Sequence, residues 1–278
     1  MTETIVEDRY VVPALQRGLD LLAQFSRHEP ELSGADLSHR LGLPRASVFR
    51  MLQTLEKSGF VERVGESTQY KLGLGVLRLG FEYLASMELT EHGRPIIEAL
   101  RDASGYSAHV VVRDHRDVVF VAKATGKKTQ FHSIQMGARL PAHATVIGRQ
   151  LLSGMTMAEL SALYPESHLK SYTPKTPCTV VQLKALIDID RLNGYGISQG
   201  GFEAGISTIA APVFNDRLEV LAAVSITVPA QHLDNNISNM LVPQVREAAQ
   251  QLTERISHLP QSRANQHVLP AIQRRIAA

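Results

Sequence analysis

The apolar positions of the first seventy residues recur with helical period in three short bursts and then switch to strand-like runs. Leu15, Leu19, Leu22 and Phe25 give a first amphipathic helix. Ser33 opens a second, with Asp36 as an acidic capping partner, Leu37 and Leu41 as apolar positions, and Gly42 at the stop. Pro44 suits the first turn of a third helix that runs through about Lys57. Val48, Met51, Leu52 and Leu55 share one face of it, with Ala46, Arg50, Gln53 and Lys57 opposite and Ser47 and Thr54 at the edge. Two short β patterns, 59–64 and 69–72, flank a polar turn containing Gly65. Three helices and a hairpin, with a short Gly-containing turn between the second and third helices, predict a winged helix-turn-helix.

From Leu74 to about Ser104 the pattern is helical again, with Gly93 and Pro95 interrupting it, as for a connecting helix followed by the first helix of a new domain. Leu77, Leu79, Phe81 and Leu84 are too apolar to leave in water. Ala108 to Val112 and Val118 to Ala122 predict a hairpin around the polar stretch Arg113 to Asp117, and Gln130 to Ile134 is another strand candidate. A helix is expected from near Thr145 to Leu152, then two further helical patches. Strands at Tyr195–Ser198, Ile206–Val213 and Val220–Thr227 follow, and a long helix from about Asn236 to Ser257 closes the pattern. Strands clustered at both ends with helices between suit an antiparallel sheet with helices packed on it, an α+β arrangement.

Composition narrows the class without choosing the partner. No run of about 18 apolar residues exists to span a membrane. The first ten residues carry Glu3, Glu7 and Asp8 and no apolar stretch, so no signal peptide is expected. The single cysteine, Cys178, offers neither an intramolecular disulfide nor a metal pair. A reduced, cytoplasmic protein is the expectation. Net charge says nothing about nucleic acid, because residues 1–73 hold nine basic and ten acidic side chains. Their placement matters more: a helix that buries one side and points Arg45, Ser47 and Arg50 outward near its N-terminus suits a major groove. Arg63 and Lys71 would sit on the wing, within reach of phosphates or the minor groove.

The phrases "VPALQRGLDLLAQF", "LSGADLSHRLGLPRASVFRMLQTLEKSGFVER" and "YKLGLGVLRLG" resemble the IclR family of bacterial regulators. So do "GARLPAHATVIGRQLLS" (137–153), "GYGISQGGFEAGISTIAAPVFND" (194–216) and "EVLAAVSITVPA" (219–230). The resemblance implies a winged helix-turn-helix over 8–73, a linker helix over 74–90 and a GAF-like effector-binding domain over 91–259. Residues 260–278 extend beyond it and read as a disordered tail. It also implies a double-stranded DNA operator read by Arg45, Ala46, Ser47, Phe49 and Arg50 with Arg63 and Lys71. It further implies a homodimer or homotetramer, with the linker helix contributing to the contacts. Two departures stand out: Ser198-Gln199-Gly200-Gly201-Phe202 where many members carry an acidic run, and Gly148-Arg149 where many have Gly-Lys.

Ser225 and Thr227 are two apart on one strand and face one way, with Thr208 placed to face them from the preceding strand. The resemblance puts these three and Ser198 in an effector pocket. Backbone amides near Ala144 and Thr145 are candidates for holding a carboxylate, with Gly137, Leu140 and His143 near the mouth. Neutral hydroxyls, amides and apolar walls point to a small organic acid, aromatic carboxylates included. His109, His132 and His143 show no spacing that fixes a metal site and read as structural or surface histidines, so no metal, cofactor or catalytic residue is assigned.

Two other readings remain open. Gly196-Ile197-Ser198-Gln199-Gly200 matches the G-x-S-x-G elbow of serine hydrolases, with Asp216 and His232 in the right chain order. The elbow needs a helix directly after the serine, and a further strand is predicted there instead. A ligand-independent, architectural DNA-binding protein is the other.

Overall fold

The computed structural model describes residues 11–26, 29–85, 88–129 and 134–257. The chain divides into two compact units, Met1–Leu84 and Ala85–Ala278.

In the first unit, α1 (Pro13–Leu22), α2 (Gly34–Leu41) and α3 (Arg45–Lys57) precede a hairpin of β2 (Val61–Arg63) and β3 (Gln69–Leu72). A two-residue strand, β1 (Leu32–Ser33), adds to the far side of β3, giving the order β1-β3-β2. The boundaries of α2 follow from local chemistry. The Ser33 hydroxyl accepts from the Asp36 amide at 3.1 Å, while the Asp36 carboxylate accepts from the Ser33 amide at 3.0 Å. Gly42 closes the helix at φ 63°, a conformation that would strain a side chain.

Leu21, Phe25, Leu32, Leu37, Val48, Leu52, Val61 and Tyr70 form the core of this unit. The predicted apolar face of α1 needs correction. Leu15 and Leu19 are 63% and 58% exposed, whereas Leu21 is fully buried and α1 ends at Leu22, before Phe25. The helix therefore carries apolar groups on two sides: of the predicted positions Leu15 and Leu19 face outward, while Leu22 packs against the core and Phe25 joins it. Leu74, Leu77 and Leu79 on α4 (Leu74–Ala85) are exposed as well. The side chains of Phe81 and Leu84 lie outside the described residues.

The second unit is α+β. Six antiparallel strands are ordered β6-β5-β4-β9-β8-β7: β4 (Ser107–Asp114), β5 (Asp117–Ala124), β6 (Arg139–Pro141), β7 (Gly196–Gln199), β8 (Ile206–Phe214) and β9 (Val220–Pro229). On one face pack α5 (Glu88–Ser104) and α9 (Asn235–Ser257). The other is covered by α6 (Val146–Leu151), with α7 (Met157–Leu163) and α8 (Val180–Asn193) beyond it. Gly93 and Pro95 do not interrupt α5 as the sequence pattern suggested. Gly93 is buried where any added Cβ would lie 2.9 Å from Val110 Cγ2, so it serves close packing against β4.

The strand candidate at 130–134 falls mostly outside the described residues, and Ile134 itself is not in a strand. The tail from 260 also lies outside them.

Candidate effector pocket and DNA-reading face

On α3, Arg45, Ala46, Phe49 and Arg50 are exposed and Ser47 is half-buried, while Val48 and Leu52 anchor the helix in the core. The ion pairs of this unit are Arg40–Glu29, Arg63–Glu56 and Lys71–Glu62. They leave Arg45 and Arg50 without an acidic partner among the described residues.

The wing differs. Arg63 lies 3.6 Å from Glu56 and 5.3 Å over the Tyr70 ring, and Lys71 lies 2.9 Å from Glu62 on the neighbouring strand. Exposed pairs of this kind are weak, so a phosphate can displace them.

The second unit gathers polar side chains on the α6-facing side of its sheet. Ser198 stands opposite Thr208, Thr208 opposite Thr227, and Thr227 opposite Ser107, a row of four hydroxyls across β7, β8, β9 and β4. One step along β9, Ser225 stands between Ala210 and His109, and His109 is in turn opposite Lys123. Ala210, Ala223, Val111 and Phe120 on the same face join the cluster that includes Val146 and Ile147 of α6.

Ser198 and Thr208 are half-buried, but Ser107, Ser225, Thr227 and His109 are buried. The polar strip thus deepens from the β7 side toward β4. Ser107 Oγ accepts from the Gly126 amide at 2.9 Å, and Ser198 Oγ accepts from the Gly201 amide at 3.2 Å. Ser225 Oγ and both ring nitrogens of His109 have no hydrogen-bond partner among the described residues. Burial, helped by nearby Lys123, pushes the His109 pKa down to about 3, so the ring is neutral.

The remaining predicted residues distribute unevenly. Thr145 caps α6 by accepting from the Gly148 amide at 3.0 Å, which occupies one of the amides proposed for a carboxylate. Gly148 admits no side chain, because an added Cβ would fall 1.9 Å from the Ala142 carbonyl oxygen. His143 is buried, with Nε2 2.9 Å from the Lys170 carbonyl, and desolvation lowers its pKa against the raising effect of that hydrogen bond. Leu140 is on β6, at the opposite sheet edge from β7. Gly137 is in an exposed turn at φ 79°, its amide donating to Phe120.

Several residues around the site escaped sequence reasoning. Thr173 donates to the Gly200 carbonyl at 2.7 Å, Thr176 to that of Gly201 at 2.6 Å, and Tyr172 packs on Phe202 at 4.8 Å. These contacts tie the irregular segment before α8 to the loop after Ser198, and no periodic pattern announces them. Below them lies a buried ion pair. Arg149 Nε meets Asp190 Oδ2 at 2.6 Å, Gln150 donates to the same oxygen at 3.2 Å, and Arg149 Nη2 donates to Ile197 O at 3.1 Å. Burial raises the Asp190 pKa, opposed by Arg149 and Gln150. The departure at Arg149 is therefore a cross-brace from α6 through α8 to the strand bearing Ser198.

His109, read from sequence as structural or surface, is neither exposed nor internally satisfied. His132 lies outside the described residues. The elbow geometry is absent at Ser198: β7 leads through Gly200, at φ 75°, into a loop and then β8, with no helix following the serine.

The family profile of the IclR helix-turn-helix domain matches residues 14–65. That of the bacterial transcriptional regulator IclR C-terminal domain matches residues 81–254. The chain is 28% identical over 225 residues to the HTH-type transcriptional regulator XynR of Escherichia coli K12, covering 81% of this chain and 89% of that one. A solved transcriptional regulator from Rhodococcus sp. RHA1 superposes with a TM-score of 0.78 at 31% identity, covering 88% of this chain and 98% of its own. An IclR homologue from Microbacterium hydrocarbonoxydans, complexed with 4-hydroxybenzoate, shares the fold with a TM-score of 0.74. Its identity is 21%, over 87% of this chain and 98% of that one. Relatives of this kind are named as regulators and repressors, not as enzymes. With both domains matched in order over most of its length, the chain belongs to the IclR family of bacterial transcriptional regulators.

Proposed function

We propose that this regulator binds a DNA operator through α3 and that a small organic acid, bound on the α6-facing side of the sheet, controls that binding. The row Ser198–Thr208–Thr227–Ser107, with Ser225 unpaired beside it, is the observation that carries the effector reading. Hydroxyls on a buried sheet face cost desolvation unless they are paired, and a bound polar ligand supplies the pairing. On the DNA side, Arg45 and Arg50 are exposed and available to guanine edges or phosphates, with Ser47 beside them. Ala46 and Phe49 offer apolar contact to thymine methyls, and Arg63 and Lys71 reach the backbone from the wing.

The working form is a homodimer or homotetramer in the bacterial cytoplasm. The exposed leucines of α1 and α4 give it apolar surface to bury. Two copies then meet two half-sites of one operator. The acid acts only if it prefers one arrangement of the DNA-binding units over another, since equal affinity for both shifts nothing. The 4-hydroxybenzoate complex of the Microbacterium homologue supplies a first compound to try.

A thermal-shift screen of small aliphatic and aromatic carboxylates tests the sensor reading. An acid at about one hundred times its Kd adds about 2.7 kcal/mol to the native state and raises Tm accordingly. Ser225→Ala and Thr227→Val should abolish the shift. A hit that persists undiminished in both variants places the ligand elsewhere, and a screen without hits favours the ligand-independent regulator.

A further inference from the structure

His109 occupies the deep end of the polar strip on β4, 1% exposed, cross-strand from Ser225, which is fully buried. Its ring meets the edge of Phe120 at 5.3 Å, and Val111 and Ala223 extend the apolar surround on the same face. Neither imidazole nitrogen nor the Ser225 hydroxyl has a partner among the described residues. Three adjacent buried polar atoms of this kind are destabilising when left unpaired. Buried polar groups of this kind are completed in folded proteins by a bound ligand, ion or water.

The chemistry of the cluster restricts that ligand. A neutral imidazole presents one N–H donor and one lone-pair acceptor, and the serine hydroxyl can do either. A carboxylate accepts only and leaves the ring's acceptor nitrogen bare. An ammonium donates only and would sit beside Lys123, which faces the same side of the sheet directly opposite His109. A hydroxyl satisfies both needs: it accepts from one partner and donates to the other. Phe120 and Val111 favour an apolar body carrying that hydroxyl.

We propose that His109 and Ser225 form a subsite for an uncharged hydroxyl group at the end of the effector that enters deepest, so that the ligand is a hydroxy acid rather than a simple carboxylic acid. His109 is the residue that sets this specificity. The proposal rests on the acid-sensor reading above and narrows its ligand.

Matched probes separate the two claims: benzoate, 4-hydroxybenzoate and phenol, with propionate, 3-hydroxypropionate and 1-propanol, each titrated by thermal shift and calorimetry on the full chain. At least one hydroxy acid should bind tenfold or more tighter than its deoxy partner. His109→Leu should reduce that ratio to about one while leaving the deoxy acid's affinity within about twofold. The ligand-free His109→Leu chain should melt no lower than the parent, because two unpaired polar atoms leave the interior. His109→Phe, which keeps a planar ring without its nitrogens, should cut the same ratio and serves if the leucine variant does not fold.

Acids that bind with no hydroxyl preference, or a preference that survives both substitutions, overturn the proposal and leave the acid sensor standing. Alcohols that bind with the predicted His109 dependence while no acid binds overturn the acid sensor and retain the subsite. A chain that binds none of the six probes overturns both.

Discussion

Individual side chains of the C-terminal domain divide its polar burden into one part that is paid internally and one that is not. Arg149 and Asp190 are buried together at 2.6 Å with Gln150 and the Ile197 carbonyl completing their bonds. Removing one partner strands the other charge, so Arg149→Leu should lose about 3–5 kcal/mol in urea denaturation. The double variant Arg149→Met with Asp190→Leu should recover most of that loss. His109 is the opposite case. Below the unfolded-state pKa of 6.5 the unfolded chain takes up a proton that the buried ring refuses until about pH 3. Stability should therefore fall by about 1.4 kcal/mol per pH unit across that window, and His109→Leu should flatten the slope. A parent and variant with the same acid dependence would show that the ring is not held neutral. That Ser225 and Thr227 share one face of a strand was legible in the sequence, because hydroxyls interrupt strand positions that call for Val or Ile. His109 was not, because its meaning depends on what surrounds the ring, which no spacing records.

Among elements, helices with a chemical start and stop were the readable ones. Ser33, Asp36 and Gly42 bound α2 by capping, as the sequence pattern indicates; Thr179 and Gly194 bound α8 in the same manner, although the sequence pattern there gives only a helical patch. Replacing Ser33 with alanine should cost about 1 kcal/mol of stability, measured by chemical denaturation; no change at all would mean the cap is redundant. Elements too short to carry a period were missed: β1 has two residues and β6 three. In α1 the period was read, but its inward side was not. Leu15 and Leu19 repeat as faithfully as core residues do, yet Leu21 is the one buried. Periodicity identifies an apolar stripe without saying whether this chain or a second copy covers it. Pro95 misled for a related reason: a helix break was inferred from residue type, whereas α5 runs continuously through it, with Gly93 packed close against Val110.

For the molecule as a whole, the order of the two domains was clear from sequence because each half carries its own pattern, helix-helix-hairpin first and antiparallel sheet second. Coupling between an acid and an operator is a property of both together and appears in neither pattern. On the DNA side, Arg50→Ala should weaken operator binding by about 1–3 kcal/mol and relax preference at one base position if the guanidinium reads a guanine. Lys71→Ala should instead weaken all sequences alike and lower the salt slope by about one. Operator affinity of the full chain, measured by fluorescence anisotropy on a selected DNA site at fixed salt with and without a saturating acid found by thermal shift, tests the central claim most directly. A shift of about tenfold or more, abolished by Ser225→Ala, is the predicted result. An affinity unchanged by saturating acid would contradict the account.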